Sequence, residues 1–214
     1  MRPERTTLIT TKLHRPLVPD DHVARPRLFA QLERGLAVPL TLVCAAAGFG
    51  KSTLVSSWLR RHDQRGDEPG DSTKQSSLAP FRYAWLSLDQ VDSDLPVFLS
   101  YLTAALRSIH PDACPLTQEL ASARQQPPPD VLAATLINEL ALLPGPCVVV
   151  LDDYSSIQGD AVPRLLSRLL QHWPESVHLV LLARHNPPLP LARLRASGQV
   201  VEIRSRDLRF TREE

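Results

Sequence analysis

The sequence predicts an α/β fold in which helices cover both faces of a parallel sheet. Three observations point there. Apolar runs of strand length alternate with segments of helical spacing from residue 26 to residue 203, the pattern that builds parallel sheets through helical crossovers. One run, Cys147-Val148-Val149-Val150-Leu151, is apolar without a break, as a strand buried on both faces requires. A second, Leu40-Thr41-Leu42-Val43, passes through a glycine turn straight into a helical pattern carried by Leu54, Val55, Trp58 and Leu59. With 214 residues, 43% of them apolar, the chain suits one such domain, or one domain with an appendage.

The elements follow in order. Residues 1–24 read as an extended segment punctuated by Pro16 and Pro19. A helix comes next, with Pro26 in its first turn and Leu28, Phe29, Leu32 and Leu36 on one face. The first strand is 40–44, and the helix after the glycine turn runs to about Arg61. Residues 62–80 are rich in Asp, Gly, Ser and Gln without an apolar period, so a disordered surface insertion is expected there. The second strand is 82–88. It leads to a helix with Phe98, Tyr101, Leu102, Ala105 and Leu106 on its inner face. Residues 111–129 read as a weakly ordered link ending in three prolines, and Asp130 as the N-cap of a helix through Leu142. Pro144-Gly145-Pro146 stops that helix and introduces the third strand, 147–151. A helix over 161–173 shows Leu165, Leu166, Leu169 and Leu170; strands at 177–182 and 199–203 complete the sheet. Thr211-Arg212-Glu213-Glu214 has the Thr-x-x-Glu form of a capping box. It announces a new helix, so a main domain over 25–210 is expected, with 211–214 beginning a truncated helical or winged-helix domain.

Composition narrows the function. The 24 basic and 23 acidic residues leave a net charge of +1, which gives no electrostatic case for nucleic-acid or membrane binding by this chain. The first residues lack the apolar core of a signal peptide, and no apolar run approaches the roughly 20 residues that span a bilayer. Three cysteines, Cys44, Cys114 and Cys147, are far apart; free structural thiols in a reducing cytoplasm are the expectation. The seven histidines show no zinc-ligand spacing.

Two motifs carry chemistry. Cys44-Ala45-Ala46-Ala47-Gly48-Phe49-Gly50-Lys51-Ser52-Thr53 lies between a strand and a helix, the context of a phosphate-binding loop. The glycines let backbone N–H groups turn toward an anion, and the helix beginning at Lys51 adds its positive dipole end. Lys51 can reach β- and γ-phosphates, and the Ser52 hydroxyl can ligate Mg²⁺. Ala45 departs from the first glycine of the G-x-x-x-x-G-K-[ST] pattern, which alanine satisfies if its φ is negative. The second motif is Asp152-Asp153, at the carboxyl end of the third strand, where open α/β sheets bind ligands. Asp152 is expected to hold Mg²⁺ and Asp153 to polarise an attacking water. Asp89, Asp92 and Asp94 are expected in a solvated loop rather than a metal cluster.

The chain resembles the nucleotide-binding domain of the large ATP-binding LuxR-type transcription regulators. These are signal-transduction ATPases with numerous domains, and their best-known member is the bacterial maltose-regulon activator. The matching stretches are Thr11-Lys12-Leu13-His14-Arg15-Pro16, Val23-Ala24-Arg25-Pro26-Arg27-Leu28, Ala47 through Thr53, Ala84-Trp85-Leu86-Ser87-Leu88-Asp89 and Leu151-Asp152-Asp153-Tyr154, then Val180 through Phe210-Thr211. The resemblance implies a P-loop NTPase sandwich with a five-stranded sheet in the order 5-1-4-3-2. It implies ATP or ADP with Mg²⁺ as ligands: Ala47, Gly48, Phe49, Gly50, Lys51, Ser52 and Thr53 around the phosphates, Arg25 approaching the nucleotide, and Arg184 beside the γ-phosphate as a sensor. Ser155 stands where the family often has histidine. DNA binding would belong to a missing C-terminal domain, and ATP-dependent self-association to the full-length protein.

These readings describe a slow ATPase that acts as a regulatory switch. A P-loop phosphotransferase and a nucleotide-binding module without turnover remain open beside it. The sequence shows no motif for the substrate pocket and lid that a phosphotransferase needs, while Ala45 and the early stop keep the inert module in view.

Overall fold

The five apolar runs become strands β1 (Leu40–Cys44), β2 (Arg82–Ser87), β3 (Cys147–Asp152), β4 (Val177–Ala183) and β5 (Val200–Arg204). All pair in parallel, in the order β2-β3-β4-β1-β5. Read from the other edge this is the expected 5-1-4-3-2. The structure is a computed structural model describing residues 8–19, 22–66, 81–123, 125, 127–212 and 214. The three inner strands are buried along their whole length, which is why they read as unbroken apolar runs. Edge strand β5 is mostly half-exposed and carries Glu202 and Arg204.

Alternation along the strands divides the core in two. Val43, Val148, Val150, Val180 and Leu182 meet α1 (Pro26–Gly35) and α2 (Lys51–Gly66). Leu42, Leu151, Leu179, Leu181 and Ala183 meet α3 (Leu95–Arg107), α5 (Pro129–Ala141) and α6 (Ala161–Gln171) on the other face. The result is three layers. Helix α1 ends against the sheet at Gly35, where a Cβ would stand 2.1 Å from Thr41 Oγ1. Beside it His178 donates from Nδ1 to Val38 O at 2.7 Å, so its Nε2 accepts from the Thr41 hydroxyl at 3.1 Å. Burial pushes the His178 pKa down to about 4, so the ring is neutral in the fold.

Several local expectations change. Helix α2 continues to Gly66 instead of stopping near Arg61. Its extra turn is anchored: Asp63 pairs with Arg15 at 2.9 Å and accepts from Tyr83 Oη at 3.0 Å, and the His62 ring stacks on Phe81. Residues 62–66 are therefore part of the body; the rest of the expected insertion, 67–80, lies outside the described residues. The expected link 111–129 contains a helix, α4 (Pro115–Ala121). Glu139 on α5 caps it, accepting from the N–H groups of Leu116 and Thr117 at 2.8 and 2.9 Å. A cap supplied from so far along the chain leaves no local pattern. Residues 124 and 126 of that link lie outside the described residues. Helix α5 starts at Pro129 with Pro128 as N-cap, so Asp130 sits in the first turn, where its charge favours the helix dipole. A short helix, α7 (Leu191–Ala196), follows the proline-rich stretch after β4. The N-terminal segment is not extended throughout: Thr10–Leu13 form a 3₁₀ turn, and residues 1–7, 20 and 21 lie outside the described residues.

The Asp89–Asp94 loop is solvated as expected at Asp89 and Asp94, which are exposed, but not at Asp92. Asp92 is fully buried and accepts from Lys12 Nζ at 2.6 Å, while Lys12 sits 4.1 Å over the Tyr101 ring. Asp92 also accepts from the Asp89 N–H, and Asp89 from that of Val91, closing a capping box. Asp89 and Asp92 fasten the N-terminal segment through Lys12, while Asp94 caps α3 by accepting from the Val97 N–H. Among the described residues, no group of three metal-ligating side chains could hold a metal ion. All three cysteines are free and buried. Burial pushes the thiols of Cys114 and Cys147 up to about 12, where they are unreactive.

Candidate functional site

Three strands bring the expected residues to one end of the sheet. The loop after β1 enters α2 through Gly48 and Gly50, whose φ values are +81° and +71°. A Cβ at either would meet nothing within 4 Å, so it is the backbone conformation that calls for glycine. Ala45, at the position of the missing first glycine, is buried and not among the described residues with positive φ. Alanine therefore fits there without strain. Its N–H donates to Ala183 O at 3.2 Å, tying the loop to the end of β4.

Lys51 folds back over this loop. Its Nζ donates to the carbonyls of Ala45 and Ala46 at 2.9 and 3.0 Å. Ser52, the next residue, donates from Oγ to Asp152 Oδ1 at 3.0 Å. That bond spans 100 residues and crosses β4, which lies between β1 and β3. Burial pushes the Asp152 carboxyl above its usual range, opposed by hydrogen bonds from Ser52 and from the Asp153 N–H. The acidic pair can share one site because Asp153 is left-handed, with φ +52°. That turn ends the strand and swings Asp153 out to solvent, where Arg184 Nη2 approaches its Oδ1 at 3.4 Å. The Arg184 N–H donates to Ser155 Oγ at 2.7 Å. Ser155 thus joins the turn after β3 to the turn after β4, a function of a small hydroxyl that the sequence did not disclose.

A cavity of about 530 Å³ opens beside the phosphate loop. Gly48, Phe49, Gly50 and Thr53 form its inner side; His22, Val23 and Arg25 line it from the N-terminal segment, and Leu208, Arg209 and Phe210 from the chain beyond β5. The N-terminal segment reaches it by running along α2: Arg15 donates to Ser56 O at 2.9 Å, Ser56 Oγ to Pro16 O at 2.5 Å, and Ser57 Oγ contacts His22 Nε2 at 2.6 Å. Arg25 is on the cavity wall, but its guanidinium is engaged by the carbonyls of Leu208 and Arg209.

The loop, the acidic pair and Arg184 thus converge at one sheet end, with Arg25 on the wall of the adjoining cavity. Arranged so, the groups can surround a phosphate chain, hold a divalent cation between Ser52 and Asp152, and seat a flat apolar group beside them. Among the described residues, no helix is long and apolar enough to cross a membrane.

No family model matches the chain. The HTH-type transcriptional regulator MalT of Cronobacter sakazakii is 34% identical over 207 residues, which is 97% of this chain and 21% of that protein. The chain therefore spans about a fifth of the curated relative it matches. Two solved structures share the fold. Cdc6p from Pyrobaculum aerophilum superimposes with a TM-score of 0.55 at 13% identity, covering 91% of this chain and 49% of that one. The Aeropyrum pernix Orc1 protein, solved in complex with DNA, gives 0.56 at 20% identity, covering 87% and 46%. Both have the P-loop ATPase fold, with which the five-stranded parallel sheet agrees. The chain thus has the P-loop ATPase fold, and by sequence it is similar to part of a MalT regulator.

Proposed function

We propose that this chain is the nucleotide switch domain of a signal-responsive transcriptional regulator, binding Mg·ATP or Mg·ADP and hydrolysing ATP slowly. The observation that carries the reading is the Ser52–Asp152 hydrogen bond, 3.0 Å long. It joins the phosphate-loop helix to the acidic strand, and a cavity large enough for a nucleoside adjoins the same loop at Gly48, Gly50 and Thr53. The residues fit the ligand: the two glycines leave open space where side chains would stand, and the helix N-terminus faces an anion favourably.

In this reading the loop N–H groups from Gly48 to Ser52 surround the phosphates. Lys51 exchanges its carbonyl partners for β- and γ-phosphate oxygens. Ser52 and Asp152 hold Mg²⁺, which when bound neutralises charge on the phosphate oxygens. Asp153 accepts a hydrogen bond from a water and turns it toward the γ-phosphate. Arg184, already beside Asp153, supplies positive charge where the γ-phosphate carries negative charge. The base and ribose occupy the cavity. We assign DNA contact and self-association to the longer regulator, because the charge of this chain is nearly balanced.

Binding titrations and a phosphate-release assay test the proposal. The chain should bind ATP and ADP with Mg²⁺, and should release phosphate from ATP slowly, without a phosphate acceptor. Absence of any nucleotide binding by the folded chain would refute it. Turnover that appears only with an added acceptor would reassign the site to phosphoryl transfer.

A further inference from the structure

One cluster of charges holds together both walls of the cavity, and the chemistry above makes no use of it. Arg25 enters from the N-terminal segment. Its Nη1 donates to Leu208 O at 2.7 Å and its Nη2 to Arg209 O at 2.8 Å. Nε and Nη2 also donate to Glu214 Oε2, at 3.3 and 3.1 Å. Arg27, in the first turn of α1, donates to Glu214 Oε1 at 3.1 Å and to Arg209 O at 2.7 Å. The Phe210 ring lies over the Arg25 guanidinium, 4.5 Å from centroid to carbon. Glu214 additionally accepts the Thr211 N–H at 3.2 Å, which is half of a capping box. The Arg25 and Glu214 side chains are 9% and 8% exposed. Removing either partner leaves the other without its countercharge.

The location gives the cluster its meaning. It ties together positions 189 residues apart, and both of the segments that it ties line the cavity. Val23 and Arg25 contribute from the N-terminal segment, Leu208 and Phe210 from the chain beyond β5. No other hydrogen bond described between residues 22–27 and residues 208–214 lies outside this cluster. The phosphate loop is held separately, through Ala183 and Asp152.

We infer that Arg25, Arg27 and Glu214 form a latch that sets the width of the cavity, so that they govern affinity for the nucleoside half of the ligand and not for its phosphates. The inference rests on the nucleotide reading above. Arg27 and Glu214 are positioning residues. They act through Arg25 and the Leu208–Phe210 backbone, and they carry no part of the phosphate chemistry. A closed latch narrows the cavity against the base; an open one frees the segment beyond β5 and releases the nucleoside end first.

The test compares ligands that share one half each. The full chain, Glu214→Gln and Arg27→Ala are titrated with Mg·ATP, with adenosine and with inorganic tripolyphosphate plus Mg²⁺. In both variants ATP and adenosine should bind about tenfold more weakly, the scale of one charge-assisted hydrogen bond, while tripolyphosphate binds as in the parent. Lys51→Ala should show the opposite pattern, losing ATP and tripolyphosphate and sparing adenosine. Equal losses for ATP and tripolyphosphate in both latch variants would overturn the latch, as would unchanged ATP affinity. Arg27→Ala keeps the test valid if Glu214→Gln unfolds, since Arg27 does not line the cavity. A parent chain that binds neither ATP nor tripolyphosphate would overturn the nucleotide reading itself. Binding by the parent with indifferent variants removes only the latch.

Discussion

Replacing Lys51 by alanine probes the phosphate loop most directly. The Nζ atom now holds two carbonyls, Ala45 O at 2.9 Å and Ala46 O at 3.0 Å, and the residue is 8% exposed. Reaching a phosphate means giving up those two contacts for stronger ones to a fully anionic group. A hydrogen bond to a charged group contributes roughly 1.5–3 kcal/mol net. The exchange therefore amounts to about one such bond, or roughly 10- to 100-fold in affinity. The loss should track the phosphates. A lysine at this place in the loop reaches β- and γ-oxygens, so ADP and ATP should weaken while AMP and adenosine bind nearly as before. Calorimetric titration with the four ligands in Mg²⁺ reads this out. A thermal melt controls for folding, since two carbonyls lose a donor at a cost of about 1 kcal/mol. Unchanged ATP affinity in a folded variant, or an equal loss for adenosine, would show that Lys51 does not serve phosphates.

Two more outcomes follow from the same geometry. Asp152→Asn should abolish the Mg²⁺-dependent part of ATP affinity, because it removes the charge facing Ser52; Asp153→Asn should leave affinity intact and slow single-turnover hydrolysis by about a hundredfold. Affinities with Mg²⁺ and with EDTA separate the two, and identical behaviour would remove the division of roles. The third concerns pH. The folded pKa of His178 is depressed to about 4 by burial, below its ordinary 6.5, so the unfolded chain binds the proton more readily. Its stabilising effect is full above pH 6.5 and is lost as pH falls toward 4, which between pH 7 and pH 5 comes to about 2 kcal/mol. Denaturant unfolding of the parent and of His178→Gln at both pH values isolates this contribution, and parallel slopes would refute it.

The sheet was legible because its strands are buried on both faces. Cys147–Asp152 and Val177–Ala183 have no solvent side to alternate with, so they announce themselves as runs. Their order came from family likeness and not from periodicity; a strand's neighbours leave no trace in its own pattern. Local readings failed where a distant residue decided the outcome. Helix α4 exists because Glu139 caps it, and the last turn of α2 persists because Arg15 and Tyr83 hold Asp63. Neither stabiliser is within one helical turn of the residues it orders. Asp92 misled for the converse reason: an aspartate among loop residues reads as solvated until a lysine 80 residues away is folded onto it.

The site divides along the same line. Phosphate chemistry needs particular side chains and glycines in an unbroken stretch, so Gly48 to Thr53 and Asp152-Asp153 could be found by inspection. The cavity needs only a shape. Its outer wall is joined through the carbonyl oxygens of Leu208 and Arg209, and every residue type offers a carbonyl. Arg25 and the stretch through Thr211 could both be noticed as shared with a known family, yet their pairing could not, since the contact becomes local only after β5 has paired with β1. Alignment of the phosphate loop with any P-loop protein would therefore locate the triphosphate and leave the base unplaced. In the reading proposed above, this domain's nucleotide preference is set by Val23, Arg25 and Leu208–Phe210, which line the cavity beside the loop.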